Sequence, residues 1–150
     1  MRIADAMNRR AARISVGAPM SLAAELLVVS QASDLMVVDE EGHYVGVLAE
    51  GDLLRAIIPD FDGLMESGAS LEDAFRIFVE SGRTYADQPI GRLVIRESIT
   101  LEPQDELLKA ATVMVTKQIR RLPVVDDGRL VGTVSRADVC WAILCEAAAR

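Results

Sequence analysis

Ser135 and Asp138 have the clearest potential for ligand chemistry in this chain. They lie three residues apart where a predicted strand gives way to a predicted helix, so a hydroxyl and a carboxylate emerge at the same junction. A carboxylate there can accept hydrogen bonds from the hydroxyl groups of a small molecule. The free N–H groups of the helix that begins near Arg136 can bind an anion. Ser and Asp at a helix start are also routine caps, so a purely structural role stays open for both residues.

Three arginines near this junction supply positive charge: Arg120, Arg121 and Arg136. Their fork-shaped guanidinium groups suit phosphate, although the 120–121 pair is also compatible with a basic turn exposed to solvent. The sequence gathers no His, Cys, Asp and Glu residues at the spacing of a metal site. It contains no nucleophile–base–acid set and no glycine-rich phosphate loop. We therefore assign no catalytic residue and no metal ligand, and we expect a binding protein that is not an enzyme.

The segment around this junction is one of two copies. Residues 122–138 repeat residues 35–52, with an offset of 87 residues before a shared turn and 86 after it. An internal repeat fixes the architecture before any single residue is interpreted. Two copies of about 60 residues indicate a duplicated small unit and not a solenoid.

Each copy indicates a β-α-β-β-α unit behind a short apolar lead, at residues 3–7 and 90–94. An extended piece follows and ends near a proline, because the residue before proline avoids the helical region. The acidic glycine turns predict hairpins, and closing helices are predicted over residues 51–58 and 136–149. The first helix of each copy is marked by apolar residues at helical spacing. These residues are Leu22, Leu26 and Val29 in copy one, and Leu107, Ala111 and Met114 in copy two.

The composition indicates a packed α/β (α+β) protein with an aliphatic core. Of the 150 residues, 51% are apolar and only 4% are aromatic. No apolar run reaches the ~18 residues that span a bilayer, and the N-terminus lacks the apolar core of a signal peptide. With two cysteines expected to be reduced, we expect a cytoplasmic protein with no membrane partner. The net charge of −7 disfavours nucleic acid as a partner.

We divide the chain into a first motif at residues 1–58, a linker at 59–88 and a second motif at 89–150. Ser70 and Asp73 form a capping-box-like start inside the linker. They open an amphipathic helix whose apolar residues are Leu71, Phe75, Phe78 and Val79. We expect this helix to pack on the body of the protein as a docked connector. A separate regulatory or partner-binding helix is the alternative.

Each copy resembles a CBS motif, the repeat named after cystathionine β-synthase, and the two together resemble a CBS pair, or Bateman module. The resemblance rests on LPVVDDGRLVGTVSRAD at 122–138, on its weaker partner at 35–52, and on helix openings at Pro19/Leu22 and Pro103/Leu107. It covers nearly the whole chain and leaves no catalytic domain. It implies two tandem motifs packed with pseudo-twofold symmetry, two clefts between them, and a flat homodimer.

The resemblance further implies an adenosine-containing ligand, namely AMP, ADP, ATP or S-adenosylmethionine, and no required cofactor. Thr100 stands at the family position whose hydroxyl faces phosphate or ribose, although it is also a plausible plain strand residue. Residues 119–123 match the segment that lines the adenine slot. The implied binding residues are Thr100, Ile119, Arg120, Arg121, Leu122, Pro123, Ser135, Arg136 and Asp138, with Asp52 retained in copy one.

Copy one lacks most of these polar positions. It keeps Asp52, which serves there equally well as a helix cap. We therefore expect copy one to be a poor phosphate site that is empty, holds an uncharged nucleoside or supports its partner copy. The replacements are Val16 for Thr100, Ser33-Asp34 for Arg120-Arg121, Met36 for Pro123 and Ala49 for Ser135.

Two functions follow from this pattern. The first is a ligand-sensing regulatory module whose bound state changes the dimer geometry or the affinity for an unidentified protein target. Such a switch requires the ligand to bind one conformation better than the other. The alternative is a ligand-free dimerisation or protein-interaction module. In that case the linker helix, or the closing helix Val139–Ala148 with Trp141 and Leu144, makes the contact.

Overall fold

A computed structural model of the chain describes residues Met1–Glu146 and divides into two units. The first-copy unit comprises Ala12–Val37 and Val45–Arg96. The second-copy unit comprises Met1–Ala11, Val38–Tyr44 and the residues described from Glu97 onward. Each unit mixes helices and strands around its own aliphatic core. Within the described residues, no helix has both the length and the apolar character needed to cross a membrane.

The order of the elements follows the predicted repeat in copy one, while in copy two the predicted first strand is reduced to a single bridge between Leu101 and Val124. The bounds are α1 (Ile3–Ala6), β1 (Arg13–Ser15), α2 (Met20–Ser30), β2 (Asp34–Val38), β3 (Tyr44–Ala49), α3 (Glu50–Ile57), α4 (Phe61–Glu66), α5 (Leu71–Tyr85), a 3₁₀ helix (Ile90–Leu93), α6 (Leu107–Thr116), β4 (Arg121–Asp126), β5 (Arg129–Ser135), α7 (Arg136–Trp141) and a π-helical turn (Ala142–Glu146). Strands β1, β2 and β3 form one sheet in that order, and β4 pairs with β5.

The predicted hairpins are confirmed. Strands β4 and β5 are antiparallel, and their register begins with Arg121 opposite Ser135 and ends with Asp126 opposite Arg129. The turn residues Asp127 (φ 47°) and Gly128 (φ 75°) both take the left-handed conformation. A two-residue turn of this type matches the right-handed twist of the flanking strands, which is why Asp-Gly predicts it.

The two cores are built from equivalent positions of the two copies. Every core residue of the first-copy unit except Ala18 has a buried counterpart 86 or 87 residues away, and each core also contains the isoleucine of a lead segment. The pairs are Ile14/Leu101, Met20/Leu107, Ala23/Ala110, Leu27/Met114, Leu35/Leu122, Val37/Val124, Leu48/Val134 and Ile90/Ile3.

The predicted helix α2 is present, but the apolar residues that mark it in the sequence are not its buried face. Leu22 is 40% exposed and Val29 is 75% exposed, and the buried residues are Met20, Ala23 and Leu27. Almost every residue of α2 is apolar, so helical spacing alone cannot choose between its faces. In α6 the prediction holds for Leu107 and Met114, while Ala110 is buried in place of Ala111.

The closing helix of copy two also differs from the prediction. It is α-helical only over Arg136–Trp141 and continues as the π-helical turn Ala142–Glu146. The rest of the predicted helix, at residues 147–149, lies outside the described residues. In copy one, α3 runs over Glu50–Ile57, one residue earlier than predicted at each end.

The residue that follows each lead segment, Asn8 or Ile95, pairs with the second hairpin strand of the other copy. Asn8 and Thr133 exchange two backbone hydrogen bonds of 2.8 and 3.0 Å in the second-copy unit. Ile95 and Val47 exchange two of 2.8 and 3.0 Å in the first-copy unit. A glycine beside each pairing lets the backbones approach. A Cβ on Gly132 would lie 2.9 Å from the carbonyl oxygen of Asn8.

The linker helix α5 begins as predicted but docks through a different face. The Ser70 hydroxyl accepts a hydrogen bond from the Asp73 N–H at 3.1 Å, and the Asp73 carboxylate accepts one from the Ser70 N–H at 3.1 Å. The expected packing through Leu71 and Phe75 is wrong, because these side chains are 70% and 66% exposed. Ala74 is the buried residue of α5.

The close approach at the glycines predicts unequal effects of adding a methyl group. Gly46→Ala would place its Cβ against the carbonyl oxygen of Ile95 and should lower the free energy of unfolding by about 1–3 kcal/mol. Gly82→Ala is the matched control, because a Cβ there meets no atom within 4 Å. It should raise the free energy of unfolding by about 1 kcal/mol, since Gly82 lies inside α5. Urea denaturation measures both, and equal effects of the two substitutions would contradict this account.

Candidate functional site

The second-copy unit contains an open depression where α6 ends and the chain turns into β4. It is lined by Val115, Gln118, Arg120 and Arg136 and has a volume of about 460 Å³. Gln118 takes a left-handed conformation (φ 55°) just after the last turn of α6, and this sharp turn directs the chain toward β4. Two of the predicted binding residues, Arg120 and Arg136, therefore lie on the same depression.

Arg136 is held in place by backbone carbonyl groups. Its Nε donates to the Ile119 carbonyl at 3.0 Å, and its Nη2 donates to the Met114 carbonyl at 3.0 Å. Its backbone N–H donates to the Arg120 carbonyl at 3.1 Å. A cation at the carboxyl end of a helix interacts favourably with the helix dipole. The guanidinium of Arg136 thus closes the end of α6 and fixes a positive charge at the depression.

The other two arginines differ in their surroundings. The exposed side chain of Arg120 makes no hydrogen bond or ion pair with any described residue. Arg121 is half-buried on β4, where it lies opposite Ser135 and has interactions of its own within the protein. Arg120 is therefore the cation in this depression that is most readily available to an anionic ligand.

Ser135 and Asp138 form a capping box at the start of α7. The Asp138 Oδ2 accepts hydrogen bonds from the Ser135 N–H and hydroxyl, both at 2.7 Å. The Ser135 Oγ accepts one from the Asp138 N–H at 3.2 Å. The capping alternative considered for these residues is therefore realised. The Oδ1 of Asp138 accepts no hydrogen bond from the described residues, so the carboxylate keeps one oxygen for another donor.

The remaining predicted residues of copy two lie on β4 or beside it. The Leu101 N–H donates to the Pro123 carbonyl at 2.9 Å, which places the exposed Thr100 beside β4. Leu122 and Pro123 differ from their expected role, because both side chains are fully buried. Leu122 belongs to the core, since alternate residues of β4 face inward. These two residues offer only their backbone to a ligand, while Ile119 is half-buried against the core.

The first-copy unit has a depression at the equivalent place, with a volume of about 320 Å³. Gln31 (φ 52°) corresponds to Gln118, and the Glu50 N–H donates to the Ser33 carbonyl at 3.0 Å as Arg136 does to Arg120. Ser33 and Glu50 thus stand where copy two has its two arginines. The backbone is the same in both places, but a serine and a carboxylate replace two guanidinium groups.

Asp52, the retained acid of copy one, lies in the first-copy unit. Its Oδ1 contacts the Arg55 guanidinium, and its Oδ2 is buried without a hydrogen-bond partner.

The buried core positions also correct one comparison between the copies. Since Ile14 corresponds to Leu101, the residue equivalent to Thr100 is Arg13 and not Val16.

Seven lining residues of the two depressions were missed from the sequence, and Val115, Gln118 and Glu50 are three of them. A usable signal existed for all three, because the repeat offset pairs Val28 with Val115, Gln31 with Gln118 and Glu50 with Arg136. Within the described residues, no cluster of three or more His, Cys, Asp or Glu side chains could hold a metal ion.

The sequence model of the CBS domain family matches residues 3–59 and 90–145. The chain belongs to the CBS domain family. The two matches cover both copies of the repeat, and the mixed α+β fold with two CBS repeats agrees with the predicted fold class. The predicted recognition of a CBS pair is confirmed.

Relatives of this CBS protein include proteins from archaea and plants. It is 29% identical over 126 residues to the uncharacterized protein MJ1426 of Methanocaldococcus jannaschii, covering 77% of this chain and 75% of that protein. It is 30% identical over 133 residues to the chloroplastic CBS domain-containing protein CBSX1 of Arabidopsis thaliana, and spans 54% of that protein. The crystal structure of CBSX2 in complex with AMP superposes with a TM-score of 0.72 and 29% identity, covering 95% of this chain and 96% of that one.

The anchoring of Arg136 predicts a stability difference between the two arginines of the depression. Arg136→Met keeps the apolar stem but leaves the Met114 and Ile119 carbonyls without their donors. It should lower the free energy of unfolding by about 1–3 kcal/mol in urea denaturation. Arg120→Met removes no internal hydrogen bond and should change the free energy of unfolding by about 0.5 kcal/mol or less. An equal loss of unfolding free energy in Arg136→Met and Arg120→Met would show that Arg136 does not stabilise the end of α6.

Proposed function

We propose that this protein is a regulatory module without catalytic activity that senses an adenosine-containing ligand. The ligand binds mainly through copy two, and the bound state alters a homodimer or the affinity for a protein target. AMP, ADP, ATP and S-adenosylmethionine are the candidate ligands. Support for the ligand class comes from family membership and from the similarity to CBSX2, whose crystal structure contains AMP.

The contrast in charge between the two equivalent depressions carries this proposal. Copy two places the available Arg120 beside the fixed Arg136, and copy one places Ser33 beside Glu50. A guanidinium group can donate two parallel hydrogen bonds to a phosphate, whereas a carboxylate repels it. An asymmetric pair of this kind favours binding of a phosphate-bearing ligand to the second copy.

Other groups of the second-copy unit, which do not line the depression itself, fit the other parts of such a ligand. The free Oδ1 of Asp138 can accept hydrogen bonds from ribose hydroxyls, while Oδ2 keeps the capping box intact. The exposed hydroxyl of Thr100 can donate to a phosphate oxygen or accept from the ribose. The peptide groups of Leu122 and Pro123 can contact the base only through their backbone.

The second candidate function is a ligand-free dimerisation or interaction module. One observation favours it: Trp141, Ile143 and Leu144 at the end of the chain are 62%, 50% and 71% exposed. Exposed apolar residues that lie close together are typical of protein contact surfaces. A module of this kind would bind no adenosine ligand and would depend on this surface.

Calorimetric titration with the four candidate ligands tests the proposal. Arg120→Gln should weaken binding of AMP, ADP and ATP by about tenfold or more, because one charge-assisted hydrogen bond is lost. Its effect on S-adenosylmethionine binding should be smaller, since that ligand has no phosphate and its single carboxylate is accompanied by an ammonium and a sulfonium group. Asp138→Asn should weaken the binding of all four ligands, and the amide oxygen of the asparagine can still accept the capping hydrogen bonds.

Arg129→Gln is the matched control, because Arg129 is exposed at the β4–β5 turn of the same unit. Its affinity for every ligand should equal that of the wild type. If the wild type binds none of the four ligands, the sensing function is wrong and the interaction module is favoured. Binding that is unchanged in both Arg120→Gln and Asp138→Asn would show that the ligand binds elsewhere.

A further inference from the structure

An apolar groove lies in the linker between the two copies, away from the depressions described above. Its walls include Ile58, Pro59 and Phe61 before and within α4, and Leu71, Phe75 and Phe78 on α5. Its volume is about 400 Å³, and all of these residues belong to the first-copy unit. We call it the linker groove.

The linker groove exposes apolar surface that the unit does not use for its own core. Phe75 and Leu71 are mostly exposed, Ile58 is 53% exposed and Phe61 is 46% exposed. None of these four belongs to the aliphatic core of the unit. Several large apolar side chains exposed together around one concave surface indicate a binding surface, whereas single exposed apolar residues are normal.

The linker segment that forms most of the groove walls is strongly acidic. Between Pro59 and Glu80 the chain carries six acidic residues and a single basic one, Arg76. Arg76 forms an ion pair with Asp73 at 3.2 Å, so its charge is locally compensated. This short segment therefore holds most of the net charge of −7 of the whole chain. The acidic residues are Asp60, Asp62, Glu66, Glu72, Asp73 and Glu80.

This charge pattern decides between the occupants of the groove. A second copy related by twofold symmetry would bring the same acidic surface against itself, and like charges across an interface are costly. A partner with apolar anchors and positive charge satisfies both the groove and its rim. We propose that the linker groove binds a basic amphipathic helix of another protein.

The apolar groove and the acidic residues of the linker together determine which side chains the bound helix needs. An amphipathic helix places apolar anchors at positions i, i+3, i+4 and i+7 on one face, and it inserts them into an apolar groove. Lys or Arg residues on the flanks of that face would lie near Glu72 and Asp62. These rim pairs would make binding faster and sensitive to salt, while the apolar anchors would supply most of the affinity.

A selection from a peptide library without charge bias tests the proposal. The library displays helix-forming peptides of about 15 residues. Their anchor positions vary among Leu, Ile, Met, Phe and Trp, and the other positions vary equally among Lys, Arg, Asp, Glu, Gln and Ala, so that the unselected library has no net charge on average. Selection on the full-length protein should enrich peptides with net positive charge. Fluorescence anisotropy then measures their affinity for each protein variant.

Phe75→Glu should lower the affinity for the selected peptides by about tenfold or more, because it places a charge at the centre of the contact. Glu72→Lys should lower the affinity for the same peptides mainly at low salt, since its effect is electrostatic. Val29→Glu is the matched control, because Val29 is an exposed apolar residue on another helix of the same unit. Its affinity should match that of the wild type.

Three results would overturn the proposal. The first is enrichment of neutral or acidic peptides, or of no peptide. The second is equal affinity of the selected peptides for wild type and Phe75→Glu. The third is a change from dimer to monomer in sedimentation when Phe75 is replaced by Glu, since the groove would then be a contact between two copies of the chain. None of these results depends on whether the second-copy site binds a nucleotide.

Discussion

Both units depend on the close pairing of the residue that follows a lead segment with the second hairpin strand of the other copy. Gly46 and Gly132 permit this pairing, because a Cβ at either position would collide with the carbonyl oxygen of that residue. The pairing brings Ile3 into one core and Ile90 into the equivalent place in the other. Since both copies obey the same constraint, their cores match at all positions except Ala18 and Ala142, and the two depressions share one backbone geometry.

This shared backbone makes the polar differences between the copies informative. The helix-ending turns at Gln31 and Gln118 have nearly the same φ, and the next strand and helix are joined by the same hydrogen bond. Only the side chains differ, with two guanidinium groups in copy two and a serine and a carboxylate in copy one. The capping box of Ser135 and Asp138 uses one carboxylate oxygen, so its structural role and the proposed ligand role are compatible.

Local patterns predicted local structure well, and features that depend on tertiary packing were predicted poorly. The Asp127-Gly128 turn and the Ser70–Asp73 capping box were predictable because residues close in sequence determine them. The buried face of α2 was not, because nearly all its residues are apolar and several faces have helical spacing. The anchoring of Arg136 depends on the Met114 carbonyl, 22 residues away, which no short motif encodes. The repeat offset of 87 residues is enough to identify equivalent positions, since it pairs the buried Met20 with the buried Leu107 and pairs Arg13 with Thr100.

The central claim is that the second copy, and not the first, provides the anion site. A titration of the ¹⁵N-labelled protein with AMP, followed by amide NMR spectra, tests it most directly because equivalent amides of the two copies serve as internal controls. The account predicts concentration-dependent shifts for Gln118, Arg120 and Arg136, with the signals of Gln31, Ser33 and Glu50 unchanged. Equal shifts in both sets, or shifts confined to the first copy, would contradict it.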